Sequence, residues 1–407
     1  WSQEGSFQSQ LVTFSSQEKP INIAVATDLH YLSSSLTDGG SFFTDLVNNA
    51  DGKNMFYIEE ITESFVATII REKPEILILS GDLTFNGEKQ SHLDLEKKLS
   101  RIRKNGTQIL VIPGNHDIDR SSAAGFYGDG YELVDSISKE EFAKIYQDYG
   151  LQESIEKDDT SLSYLYRARK DFWILMLDSN SHGTNEISDQ TFSWVEEILK
   201  DAKEQDIQVL AVSHQNLLAH NPYFTEGFLI HRAQELEAFY EKYAVMANLS
   251  GHIHIQHIED RGLPEILTSA LPVSPHHYGI LEFDGKTLDY QAKILDVASW
   301  AREQGLTDQN LLDFSQSSRS FMEQVAARKL ESELLDSQLT DLEREILLQT
   351  FAQINADYFA GRQIDPANHQ QGLSLMQETG LSFYLTYIDS ILKSAEKGHE
   401  SFQLELE

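Results

Sequence analysis

Ile21-Asn22-Ile23-Ala24-Val25-Ala26-Thr27-Asp28-Leu29-His30 is an apolar, β-branched run that stops on two metal-ligating side chains. The pattern recurs four times. Glu75-Ile76-Leu77-Ile78-Leu79-Ser80 leads to Gly81-Asp82, and Thr107-Gln108-Ile109-Leu110-Val111-Ile112 leads through Pro113 to Gly114-Asn115-His116-Asp117. Ile207-Gln208-Val209-Leu210-Ala211-Val212 leads to Ser213-His214, and Ala247-Asn248-Leu249-Ser250 to Gly251-His252-Ile253-His254. Continuous apolar runs of this length read as strands buried on both faces. In open α/β sheets ligands collect at the carboxyl ends of the strands, so five strand ends bring seven O and N donors together. Two neighbouring divalent cations need about that many, with room for water and substrate. The reading is a two-metal hydrolase acting on a phosphate ester. Glycines at 81, 114 and 251 suit sharp turns in which a Cβ would obstruct the backbone.

The order D-x-H, G-D, G-N-H-[DE], H, G-H-x-H resembles the calcineurin-like metallophosphoesterase superfamily over residues 21–295. The resemblance implies a four-layer αββα sandwich of mixed sheets. It implies that Asp28, His30, Asp82 and His254 hold one metal, and that Asp82, Asn115, His214 and His252 hold the other, with Asp82 shared. His116 matches the family's substrate-facing histidine that is not a ligand. Asp117 is expected to orient it, and Asn115 with His116 to touch the phosphate. The ions would be divalent or mixed-valence, drawn from Mn, Fe or Zn, and a bridging water ionised between them would be the nucleophile.

Two departures narrow the branch. Gly81-Asp82-Leu83-Thr84-Phe85-Asn86-Gly87 lacks the Asp and Arg of the protein-phosphatase motif G-D-x-x-D-R-G. Phe85 stands where purple acid phosphatases carry a metal-binding Tyr. The chain looks most like bacterial class III cyclic nucleotide phosphodiesterases of the exported Gram-positive type, which append a C-terminal helical domain. That likeness implies an extracellular or cell-surface location. The alternatives are an exported phosphomonoesterase or nucleotidase, and a surface interaction protein with a relic phosphoesterase core.

Composition narrows the partners. The 407 residues carry 65 acidic against 32 basic side chains, a net charge of −33, which repels nucleic-acid backbones. A small nucleotide or other phosphodiester is the expected substrate, not long nucleic acid. No apolar run is long enough to cross a membrane as a helix. There is no cysteine, hence no disulfide or thiolate ligand. Residues 1–20, rich in Ser and Gln, read as a flexible tether left after processing.

Helical spacing is expected over Phe56–Arg71, Gln90–Lys104 and Gln190–Lys203, the last after a Ser188-Asp189 cap. Gly279–Asp284 and Leu288–Leu295 read as an antiparallel hairpin. Past residue 295 strand signals stop. Leu311–Phe314, Phe321–Leu335, Leu342–Tyr358 and Leu373–Ala395 have helical spacing, so 296–407 is expected to be a helical accessory domain after a 21–295 catalytic one. His220, six residues past His214, is a candidate for the substrate pocket. His276 and His277 are weaker candidates for contact with a base or sugar. His257 lies out of phase with His252 and His254 and reads as a surface or structural residue.

Overall fold

A computed structural model of the chain describes residues 19–334 and 338–406. The tether expected over residues 1–20 lies almost wholly outside the described residues.

Two sheets stack face to face. The first has six strands in the order Ser401–Glu405, Thr287–Ile294, His277–Phe283, Ile21–Ala26, Ile76–Leu79, Gln108–Val111. The second has seven, in the order His257–Asp260, Pro264–Leu267, Ala247–Ser250, Gln208–Ser213, Phe172–Leu177, Tyr164–Arg169, Glu156–Lys157. Both are mixed. Ile21–Ala26, Ile76–Leu79 and Gln108–Val111 run parallel, as do Phe172–Leu177, Gln208–Ser213 and Ala247–Ser250. Five of these six strands carry the donor residues, so the donors share one edge at their carboxyl ends.

The runs are apolar throughout because both faces are covered. Ile23, Val25, Ile78 and Leu110 meet Ile174, Met176, Leu210 and Val212 between the sheets. The opposite faces, from Ala24, Leu77 and Ile109 and from Leu175 and Ala211, pack on helices. Helices Ile58–Glu72 and Lys89–Lys104 cover the first sheet through Phe65, Ile69, Leu95 and Leu99. Asp189–Glu204 and Ala233–Lys242 cover the second through Val195, Leu199 and Leu236. Each such side chain contributes about 1.5–3 kcal/mol by leaving water. The result is the expected αββα sandwich.

The helix limits follow from local chemistry. The Ser188 side chain accepts from the Thr191 N–H and starts one helix. Lys73, at φ 51°, closes another just before Pro74.

After Asp296 the chain is helical: Val297–Glu303, Gln309–Leu312, Phe314–Glu331, Asp341–Phe359, Gln370–Thr379 and Ser382–Ser394. Three expectations are corrected here. The third of these helices starts at Phe314, seven residues before the expected Phe321. The segment expected as one helix over Leu373–Ala395 is two, because Gly380 takes a left-handed conformation (φ 70°) that ends the first. Nor is the tail helical to its end. Ser401–Glu405 returns and pairs antiparallel with Thr287–Ile294, placing Phe402 and Leu404 on the inter-sheet core. Among the described residues no helix is long and apolar enough to cross a membrane.

Candidate metal centre

The donor residues all sit in the loops that leave the five parallel strands, three on the first sheet and two on the second. Five of them hold left-handed backbone: Asp28 (φ 51°), His30 (45°), Asp82 (49°), His252 (70°) and His254 (63°). Side-chain-bearing residues adopt this region at a cost of order 1–3 kcal/mol each, and it clusters at functional sites. The bends aim the side chains inward. Gly114 and Gly251 let the loops close, since a Cβ at either would overlap an oxygen of Asp82 or Asp28.

Two groups form. In the first, atoms of Asp28, His30 and His254 lie within 4.8 Å of one another; in the second, atoms of Asp82, His214 and His252 do the same. Asp82 Oδ2 joins them, 3.8 Å from His30 Nε2 and 3.3 Å from His214 Nε2. Asn115 Oδ1 lies 3.1 Å from His214 Nε2 and accepts from Gln215 Nε2 at 3.3 Å, which fixes the amide with its oxygen inward. All seven residues expected as ligands are therefore brought together.

The donor set fits cations. His214 Nδ1–H donates to Ser80 O (2.9 Å), so a neutral ring turns its Nε2 lone pair toward Asp82 and Asn115, themselves acceptors. His254 Nδ1 faces Asp51 Oδ2 (3.3 Å), and its Nε2 faces His30 Nε2 (3.1 Å) and Asp28 Oδ1 (3.3 Å). His252 Nε2–H donates to Gly227 O (3.1 Å). These second partners fix the tautomers of His214, His252 and His254 as they do in metal sites. Asp28 Oδ1 is buried without a hydrogen-bond donor. With neutral rings these lone pairs would converge with no hydrogen between them, so the cluster calls for positive charge, from protons on His214 and His254 or from cations.

Titration behaviour points the same way. Burial opposes protonation of His214, but the Asp82 and Asp28 carboxylates raise it to about 9. Burial likewise opposes His254, which Asp28 and Asp51 raise to about 9. Burial alone would raise the Asp28 carboxyl; the adjacent His254 and the charge of His214 hold it below the usual range instead. A divalent ion supplies the charge these carboxylates draw, and displaces the protons.

The roles expected of Asp117, His220, His276 and His277 are corrected. Asp117 does not orient His116. Its oxygens accept from the N–H groups of Gly114 (2.8 Å), Thr84 (3.0 Å) and Leu83 (3.1 Å), tying together the two loops that carry Asp82 and Asn115. Neighbouring residues in these loops project apart. Phe85 O takes the orienting role, accepting from His116 Nδ1 at 3.0 Å, while the His116 N–H holds Asp82 Oδ1 at 2.8 Å. His220 does not line the substrate site: it is buried, with Nε2 3.1 Å from Glu265 and Nδ1 2.9 Å from His257 Nδ1. His257 is structural but buried, not at the surface. His276 and His277 are buried as well; His276 lies between Leu271 O and Ser318.

Sequence reading passed over Asp51 and Lys53. They pair at 3.3 Å beside His254, and the Lys53 charge acts on both His30 and His116. Both lie on a loop with no periodicity; Gly52 between them, at φ 90°, was the available signal.

Residues 21–256, more than half of the chain, match the family described as calcineurin-like phosphoesterase. The chain belongs to that family. It is a metallophosphoesterase, a hydrolase of phosphoesters with a two-metal site. Residues 296–398 match a second family, the C-terminal domain of cyclic nucleotide phosphodiesterase. A dimetal phosphatase from Danio rerio superposes with a TM-score of 0.50 at 13% identity, covering 68% of this chain and 97% of its own, which supports the fold. Plasmodium GAP50, described as the anchor in the inner membrane complex, gives 0.40 at 11%, covering 68% of this chain and 85% of its own. TT1561 of Thermus thermophilus gives 0.39 at 12%, covering 68% and 99%. No curated protein matches the chain.

Proposed function

We propose that this metallophosphoesterase is a cyclic nucleotide phosphodiesterase. The observation that carries the reading is the coexistence of a seven-donor centre with a helical segment matching the C-terminal domain of cyclic nucleotide phosphodiesterase. Asp28, His30, Asp82 and His254 would hold one ion; Asp82, Asn115, His214 and His252 the other. When bound, such a pair supplies Lewis acidity and an ionised water at neutral pH.

The chain's own groups do the rest. His116 is held by Phe85 O through Nδ1, which leaves Nε2 to exchange a proton with the substrate. Burial lowers its basicity, and the negative charge of a phosphodiester beside it restores the protonated ring. A proton passed from Nε2 to the departing ribose oxygen makes a poor leaving group acceptable, worth about 10²–10⁴-fold. Asn115 donates through its amide nitrogen to phosphoryl oxygen while its carbonyl stays inward.

A panel of 2′,3′-cyclic, 3′,5′-cyclic and linear nucleotides, assayed with protein of defined metal content, tests this. Turnover of a cyclic diester well above the matching monoester is expected. Preference for monoesters would instead make the protein a nucleotidase on the same centre. Inert protein that still bound a cell-surface partner would favour the relic reading. The resemblance also supports work at the surface of a Gram-positive cell; recovery of the protein solely from the cytoplasm would remove that part.

A further inference from the structure

A cavity of about 360 Å³ opens between the helical segment and the sandwich, against the metal centre. A larger cleft of about 870 Å³, near Tyr57 and Asp308, contains no candidate ligand. The smaller one has two links to the centre. Asp51 is in its wall and its Oδ2 lies 3.3 Å from His254. Phe228 is also in the wall, its ring centroid 5.3 Å from that of His252.

Eight of the fourteen lining residues are aromatic, against 10% in the whole chain, so the occupant is selected by flat apolar faces. Phe228 comes from the loop after Gln208–Ser213, Phe351 from helix Asp341–Phe359, and Phe383, Tyr384 and Tyr387 from helix Ser382–Ser394. Phe383 and Tyr387 lie parallel within 3°, at 6.2 Å. Phe383 remains 58% exposed. A packing interface has no use for an open ring of this size; a planar ligand does. The volume falls within the range of small-molecule sites.

We infer that this cleft is the nucleobase subsite, and that the helical segment supplies the aromatic faces on which the base stacks. The choice of a nucleobase among planar ligands rests on the phosphodiesterase reading above; nucleoside binding in the cleft is tested apart from it. The direct test is therefore binding without chemistry. Adenosine, guanosine, cytidine and uridine are titrated by calorimetry into the full chain, and 8-azidoadenosine is photo-crosslinked and mapped. Saturable binding of at least one nucleoside is expected, with label on the Phe228 loop or on helix Asp341–Phe359 or Ser382–Ser394.

Phe383→Ala should weaken that binding by about fivefold or more, as loss of one stacking partner does. Phe383→Leu, which keeps the apolar bulk but not the face, should weaken it too. Because Phe383 is exposed, neither change threatens the fold. No saturable binding by any of the four nucleosides, label confined to other surfaces, or unchanged affinity in both variants would overturn the inference. Nucleoside binding in the cleft without cyclic nucleotide turnover would keep the subsite and remove the phosphodiesterase reading.

Discussion

Two clusters of histidine and carboxylate lie within this fold, and they are built on opposite rules. At the strand ends, Asp28, His30, Asp82, His214, His252 and His254 turn acceptors toward one another, and Asp28 Oδ1 has no donor. Deeper, beside the second sheet, Glu265, His220, His257 and His399 each find hydrogen-bond partners. Glu265 accepts from the N–H of Leu217 (2.8 Å), Asn248 Nδ2 (2.7 Å), Ser250 Oγ (2.7 Å) and His220 Nε2 (3.1 Å). His257 reaches Ser394 Oγ at 2.6 Å and stacks on His399 at 3.8 Å, tying the helical segment to the sheet. The first cluster needs an outside charge and the second has completed itself. Residue types alone do not separate them; the unfilled lone pairs and the left-handed backbone do.

His116 touches the first cluster without belonging to it. His116→Ala should keep both metals and lose about 10²–10⁴-fold on a cyclic nucleotide. The loss should be smaller on a p-nitrophenyl ester, whose leaving group needs no proton. Equal losses on both substrates would assign it a purely electrostatic role, and a missing metal would make it a ligand.

Next comes the self-completed cluster. Glu265→Ala leaves His220 and several buried donors without their partner, which should destabilise the chain by about 3–5 kcal/mol in denaturant titration. Metal content of the folded fraction should not change. A stable variant that had lost metal would erase the distinction between the clusters.

Asp51 sharpens the boundary. As the group facing His254 Nδ1, its change to Ala should weaken metal binding by about 10–100-fold at the site holding Asp28, His30 and His254. Competition with a chelator measures this; equal weakening at both sites would deny the local role.

The smallest effect is on acid stability. Burial lowers His92 and His276 to about 4, and burial with the Arg362 charge lowers His277 to about 3, from 6.5 when unfolded. Below pH 6.5 these three rings therefore bind more protons in the unfolded chain than in the folded one. Stability is intact above that pH and falls as pH drops toward 4, by on the order of 1 kcal/mol per histidine at about pH 5.5. Melting temperatures of metal-free protein from about pH 7 to about pH 5 check the sign. A rise on acidification would contradict neutral buried rings.

The two-sheet core was legible because a strand buried on both faces must be apolar throughout, and its donors follow at once in the chain. Roles set by distant partners were not. His220 meets residues 37 and 45 positions away, and no local spacing encodes that. Asp117 misleads because adjacency to His116 in sequence is not adjacency in space. The returning strand did leave a trace, the alternation Phe402-Gln403-Leu404, masked by the helical stretch before it.

The account rests on which cluster holds metal. Elemental analysis of purified wild-type chain, Asp82→Ala and Glu265→Gln decides it in one experiment. The account predicts two metals per chain in the wild type, two in Glu265→Gln, and none retained by Asp82→Ala, whose carboxylate joins both groups. Two metals still present in Asp82→Ala, or their loss from folded Glu265→Gln, would contradict it.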